Sequence, residues 1–363
     1  MGLKKVPEGP LREGFTTGTS ATASVKSALL SIIHQKAQNN VDVILPAGKV
    51  LNIEIHSSEF GENWAKSSVI KDAGDDPDVT NGAEIGCVLR LKKEQTIDFY
   101  AGEGVGTVTL PGLQLNVGEP AINPVPRTMM SSAIHKLFHD YELEMGADVE
   151  VFVTDGKALA KRTLNERVGI MGGLSILGTS GIVKPYSSSS YIASIEQGID
   201  VAVANGIEEL VLNSGARSEK YLKNIFPDFQ EQAFIHYGNW IGETLKKLHS
   251  SEIKKATIGI MLGKAVKLAQ GNADTHSCVS SWNKEYVANL AESNGYSAVR
   301  ELIFGLNMAG RLVELFPFEQ EEKFYQALLG DCMKQINRII NNKIEIDIFL
   351  LGKNGEKVKH TQK

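Results

Sequence analysis

The sequence predicts an α+β first half followed by an α/β second half built on a parallel sheet. Alternating or β-branched runs crowd the first 155 residues, whereas from about Lys157 strand and helix patterns alternate regularly. A chain of 363 residues is also long for one hydrophobic core, so two domains, 1–156 and 157–363, are expected.

After Gly18, apolar residues at Ala21, Val25, Ala28, Leu29, Ile32 and Ile33 recur at helical spacing. VDVIL (41–45), VLNIEI (50–55), EIGCVLRL (84–91), TIDFY (96–100), VGTVTL (105–110) and VEVFV (149–153) read as strands. A second helix should open at NPVPRTMM, because Pro126 suits a first helical turn and Met130, Ile134, Leu137 and Phe138 form one face. In the second half, LSIL (174–177), ELVLN (209–213), QAFIHY (232–237) and KATIGIML (255–262) are strand candidates. Helical patterns at 190–204, 217–225 and 239–249 separate them, the arrangement of crossover connections. A helical stretch over 283–341 leads to a last strand, IEIDIFLL (344–351), which could pack with either domain; the polar tail after it should fray.

A net charge of -5 gives no whole-protein field for nucleic acid or acidic membranes. No apolar run is long enough to span a bilayer, and MGLKKVPEGPLREGF lacks both a secretory core and, with Val6, the myristoylation pattern. Cys87, Cys278 and Cys332 are scattered thiols that suit a reducing compartment, so a cytoplasmic protein is expected.

Several stretches could carry chemistry. KDAGDDPDVTNG (71–82) sets Asp72, Asp75, Asp76 and Asp78 within seven residues. Neither frame fits a calcium loop: from Asp76 the fifth and twelfth positions are Thr80 and Cys87, and from Asp72 the twelfth is Ala83. An Asp-rich turn bonded to local N–H groups is the simpler reading. GIMGGLSILGTSGIVKP (169–185) lacks the P-loop lysine, since Thr179 takes its place, and lacks the dinucleotide spacing. Tight turns and a glycine loop for a nucleotide-like ligand both remain open there. In LREGFTTGTS (11–20), Thr19 or Ser20 can cap a helix, and four hydroxyls beside Arg12 also suit an anion. Arg127 is a cation in a first helical turn, which an anionic ligand would justify. AGEGVGTV (101–108) is explained by a hairpin or bulge. HKLFH has Lys136 between His135 and His139 where a zinc protease needs Glu, and His276 in DTHSCVSSW is a candidate proton carrier.

LREGFTTGTSATA, KDAGDDPDVTNGAEI, GEGVGTVTLPGLQLNVGEPAINPVPR, RVGIMGGLSILGTSGIVKPYS and GKAVKLAQGNADTHS together resemble the cobalt-precorrin-5B C-1 methyltransferases, the CbiD family of anaerobic cobalamin biosynthesis. They stand in family order from about residue 11 to 281. Two departures stand out. Ser20 replaces the family's usual cysteine, and MLGKAVKLAQG keeps only part of a His-Thr-Gly-rich segment.

The resemblance implies a Rossmann-like second domain and methyl transfer from S-adenosylmethionine to C-1 of a ring-contracted tetrapyrrole. Cobalt then enters only within the substrate. No nucleic acid or membrane partner is expected, and a homo-oligomer is compatible. With that chemistry in view, Asp72, Asp75, Asp76 and His276 are the catalytic candidates. Gly172, Gly173, Gly178, Thr179, Ser180 and Gly181 are the cofactor candidates. Arg12, Thr16, Thr17, Thr19, Arg127, Arg167, Lys184 and Arg217 are the candidates for the substrate's carboxylates. The alternative is a non-catalytic tetrapyrrole-binding or assembly protein of the same pathway.

Overall fold

A computed structural model describes residues 9–277 and 279–361. Val6 and Cys278 lie outside the described residues. The chain divides into two compact units between Ser187 and Ser188. The expected boundary at 156/157 therefore falls 31 residues too early. The cause is pairing: Ile170–Met171 pairs with Thr107–Val108 and Ile182–Val183 with Gly14–Phe15, both antiparallel, which ties residues 157–187 to the first unit. LSIL is accordingly no strand of the α/β sheet. It makes only isolated bridges, Val105 to Leu174 and Ile122 to Ile176.

The first unit holds a five-stranded sheet in the order Ser57–Phe60, Trp64–Ile70, Glu84–Lys92, Gly146–Val153, Ile97–Ala101. Its pairs are antiparallel except the last, which is parallel. The first two strands were missed, because SSEF and WAKSSVI carry serines on faces that turn out to be covered. The helices Thr17–His34 and Pro124–Asp140 pack together, the former also against the sheet. Ile85, Leu89, Val149 and Val151 are fully buried there, each worth about 1.5–3 kcal/mol relative to exposure. Small residues let the Thr17–His34 helix lie close. The hydroxyls of Thr22, Ser24 and Ser31 bond carbonyls four residues back, which satisfies them in the core.

The second unit holds strands in the order Phe234–His236, Glu209–Asn213, Lys255–Met261, Glu345–Leu351, all parallel, with Lys357–Thr361 added antiparallel. Within the tail, Lys357–Thr361 is therefore a paired strand and not frayed. Helices Ser188–Ala204, Ile241–His249, Leu262–Ala269 and Lys323–Ile340 share a core with one face of the sheet, and Ala216–Ile225 covers the other. Helix connections make the parallel order feasible, and their apolar stripes bury both faces. Cys87 and Cys332 are buried free thiols.

Candidate functional site

Four stretches distant in sequence meet around residues 12–18. Thr16 caps the Thr17–His34 helix, its hydroxyl accepting from the Thr19 N–H at 3.2 Å. The glycine loop closes over this helix start. The Leu177 N–H donates to Thr17 Oγ1 at 2.8 Å, the Gly18 N–H to the Leu177 carbonyl at 3.0 Å, and Thr19 Oγ1 to the Gly181 carbonyl at 2.8 Å. Thr16, Thr17 and Thr19 are buried. The Thr17 and Thr19 hydroxyls bond the loop and that of Thr16 bonds Thr19, so all three, expected at substrate carboxylates, have partners within the protein. Ser20 is fully buried as well, bonding the Thr16 carbonyl.

The glycines in this loop answer to backbone crowding. A Cβ on Gly178, which has φ +132°, would stand 2.4 Å from Thr16 Cβ, and one on Gly173 would stand 2.3 Å from the Gly104 carbonyl oxygen. Only Gly172 faces open space among the loop's glycines, with φ +85°. The loop is therefore no strand-to-helix turn of the parallel sheet. Gly173, Gly178 and Gly181 act as packing positions, while Thr179 and Ser180 lie exposed at its tip.

Each of the four aspartates has a partner, local for Asp78, distant for Asp75 and Asp76, and both for Asp72. Asp72 takes the Arg12 guanidinium on both carboxylate oxygens and the Gly74 N–H on one. Arg12 holds the Asp72 carboxyl below its ordinary value, so Asp72 is a poor proton acceptor at neutral pH. Asp75 accepts the Arg12 N–H at 2.6 Å, and Asp76 accepts the Tyr186 N–H at 2.9 Å. Asp78 accepts from Lys71, which is 1% exposed, and from both the N–H and the hydroxyl of Thr80. Burial pushes the Asp78 carboxyl upward, but Lys71 and Thr80 outweigh it and hold it below the ordinary value. Asp72 and Asp78 each bond an N–H two residues on, the Asx-turn arrangement that their sequence suggests, whereas Asp75 and Asp76 bond N–H groups of distant segments.

Arg127 reaches back to the Ile122 and Pro120 carbonyls at 2.7 and 3.1 Å and to Glu119 at 3.3 Å. Arg127, expected at a substrate carboxylate, has these partners within the protein, as Arg12 has Asp72. Arg167 is half-buried in a short 3₁₀ turn, and Lys184 is exposed beside the loop. Arg217 and His276 belong to the second unit. Arg217 is exposed in the first turn of Ala216–Ile225, and the His276 N–H bonds Asp274 Oδ1 at 2.8 Å.

Sequence reasoning passed over three residues. Tyr186 adopts φ +56°, a left-handed conformation rare for a bulky side chain, and is part of the matched stretch ending KPYS. Asn213 ends the strand Glu209–Asn213, is fully buried, and has neither amide atom partnered; a polar residue closing an apolar run was the available signal. Lys264, within GKAVK, is held by burial and by Lys267 down at about 8.

Fold and site thus define an α/β protein of two units. The first has its sequence motifs folded around one helix start, and the second is built on a parallel sheet. The CbiD family model matches residues 4–185. A cobalt-precorrin-5B C(1)-methyltransferase from Prosthecochloris aestuarii is 43% identical, with 90% of each chain covered. One from Priestia megaterium is 40% identical over 98% of this chain and 97% of its own. A crystal structure of a cobalamin biosynthesis protein from Archaeoglobus fulgidus is 29% identical over 74% of this chain and 83% of that one, with a TM-score of 0.40. This chain belongs to the CbiD family. Among the described residues, no helix is long and apolar enough to cross a membrane.

Proposed function

We propose that this chain methylates C-1 of cobalt-precorrin-5B to give cobalt-precorrin-6A, with S-adenosylmethionine as methyl donor, in anaerobic cobalamin biosynthesis. The observation that carries the reading is identity of about 40% to enzymes of that name along nearly the whole of both chains. The second unit is read as Rossmann-like, on its parallel strand order and the helices on both faces. A cytoplasmic setting fits the buried free thiols.

The reaction forms a bond between C-1 and the methyl carbon and breaks the methyl–sulfur bond, whose electron pair stays on sulfur. A sulfonium supplies a methyl group that is already activated. The protein's task is therefore in-line alignment, together with removal of a ring proton to make C-1 nucleophilic. The macrocycle carries acetates and propionates, which call for bases. Arg12, Lys184, Leu177 and Tyr186 are all exposed on the first unit, a mixture of bases and apolar groups suited to an anionic ring. The aspartate turn serves this surface as a scaffold: Asp75 and Asp72 fix Arg12, and Asp76 fixes Tyr186. Asp72, lowered in pKa and paired with Arg12, is a poor proton acceptor for this step.

The test is to incubate the protein with labelled S-adenosylmethionine and cobalt-precorrin-5B and to identify the product. A C-1-methylated macrocycle is expected. Macrocycle binding without methyl transfer would instead support a carrier of the same pathway.

A further inference from the structure

A cavity of about 340 Å³ lies in the first unit, and none of the residues placed at the proposed substrate surface lines it. That volume falls at the small end of the range for ligand sites, about 300–1,000 Å³. Three stretches build it: Glu103 and Gly104 ahead of the strand Thr107–Val108, residues 155–161, and Gly172 of the glycine loop. Part of its wall is close-packed backbone. A Cβ on Gly104 would stand 2.1 Å from the Val153 carbonyl oxygen, and one on Gly156 would stand 2.3 Å from that of Gly104. The Gly104 carbonyl also accepts the Leu174 N–H at 2.8 Å. At Gly172 the opposite holds: a Cβ there would meet nothing within 4 Å.

Glu103, Asp155, Lys157 and Lys161 bring two anions and two cations to this one cavity. Among the described residues, none of the four side chains makes an ion pair or a hydrogen bond. Elsewhere in the unit, exposed charges of opposite sign do pair, as Arg90 with Glu150 at 3.4 Å and Lys92 with Asp148 at 2.7 Å. Asp155 stands at the N-cap of Gly156–Ala160, where a carboxylate ordinarily bonds a first-turn N–H, and makes no such bond. Unit charges 4 Å apart attract by about 1 kcal/mol even in water. Side chains of both signs that share a cavity and stay apart leave each sign available to a ligand.

We infer that this cavity binds a compact zwitterion, the α-amino-acid group, with its ammonium at Glu103 and Asp155 and its carboxylate at Lys157 and Lys161. The balance of acid and base decides the class. A macrocycle edge bearing only carboxylates would meet as many anions as cations, and like-charge juxtaposition is costly. A group with both charges on one carbon meets both pairs and brings no net charge into the site. Such a group has two sources, a free amino acid or the amino-acid end of a larger molecule. The inference does not depend on the methyltransferase reading.

The experiment is calorimetric titration of the full chain with L-methionine and, separately, with S-adenosylhomocysteine, which ends in the same group. Wild type should bind at least one. Binding of L-methionine assigns the site to the free amino acid, and binding of S-adenosylhomocysteine alone assigns it to the larger molecule. For whichever probe binds, Lys161→Met and Glu103→Gln should each weaken binding about ten-fold. Ala158 is exposed and lines the same cavity. Ala158→Trp should fill the space and abolish binding, with the thermal melt of wild type. Folded variants that bind like wild type overturn the inference, as does a wild type that binds neither probe. L-Methioninol, which lacks the carboxylate, binding as tightly as L-methionine would overturn the zwitterion assignment. Methylation of cobalt-precorrin-5B is scored in its own assay, so either reading can fail alone.

Discussion

The ammonium of Lys71 is 1% exposed and donates to Asp78 Oδ2 at 2.6 Å. This pair anchors the aspartate turn, because the Lys71 N–H also bonds the Ala83 carbonyl and the Gly82 N–H the Lys71 carbonyl. Removing one member leaves a charge buried without its partner. Asp78→Asn should therefore cost about 3 kcal/mol in chemical denaturation. The folded Asp78 carboxyl lies below its unfolded value, so its contribution is complete above the ordinary carboxylate range and is lost as pH falls through it. Wild type should lose this advantage over Asp78→Asn on acidification. Parallel acid titrations of the two proteins would contradict it.

Gly178 and Gly172 both have positive φ, but only Gly178 is crowded. Gly178→Ala should destabilise the protein by about 2–4 kcal/mol, from strain and overpacking against Thr16. Gly172→Ala should cost only the left-handed penalty, about 1–2 kcal/mol. Equal losses in thermal melts would mean that the loop does not pack on the helix start as described.

Lys264 has a folded value of about 8 against an ordinary 10.5. The fold carries the full cost of a poorly solvated ammonium below about 8. Between there and 10.5 the unfolded chain still binds a proton that the folded chain has released, so stability rises with pH. Lys264→Met should be more stable at neutral pH by about 1–2 kcal/mol and should lack that rise. Mass spectrometry after brief acylation at pH 8 should find Lys264 modified ahead of the exposed lysines only if the reagent can enter; denaturation across the alkaline range is the deciding measurement.

Tyr186 is held at φ +56° while its N–H donates to Asp76. Asp76→Ala should cost about 1 kcal/mol and speed amide exchange at Tyr186. Tyr186→Gly relieves the strain and should leave stability equal or higher by about 1 kcal/mol, while weakening macrocycle binding through loss of the ring. Undiminished macrocycle affinity in Tyr186→Gly would remove this residue from the proposed substrate surface.

The local grammar of the chain was legible without coordinates. ELVLN appears as a strand over the same five residues, and the helices at 188–204 and 216–225 follow their apolar spacing. The Asp-rich turn was readable in part: Asp72 and Asp78 bond N–H groups two residues on, but Asp75 and Asp76 bond Arg12 and Tyr186, which no local pattern indicates. Arg127 shows the limit of such reading. In sequence it is a cation in an unfavourable helical turn; in space it bonds carbonyls five and seven residues earlier, a loop geometry that no periodicity encodes.

By itself, the sequence determined most element types, that the chain has two parts and the five motifs that mark the family, since these depend on spacing and local chemistry, although Ser57–Phe60, Trp64–Ile70 and Lys357–Thr361 escaped it. The tertiary structure alone decided which unit owns residues 157–187, because antiparallel pairing with Gly14–Phe15 and Thr107–Val108 is a long-range event. It also decided that the threonines and glycines of two distant motifs are spent on each other, and that Asn213 is buried without a partner at the end of its parallel strand. Burial and hydrogen-bond partnership arise only when distant segments meet, so no local pattern could have specified them.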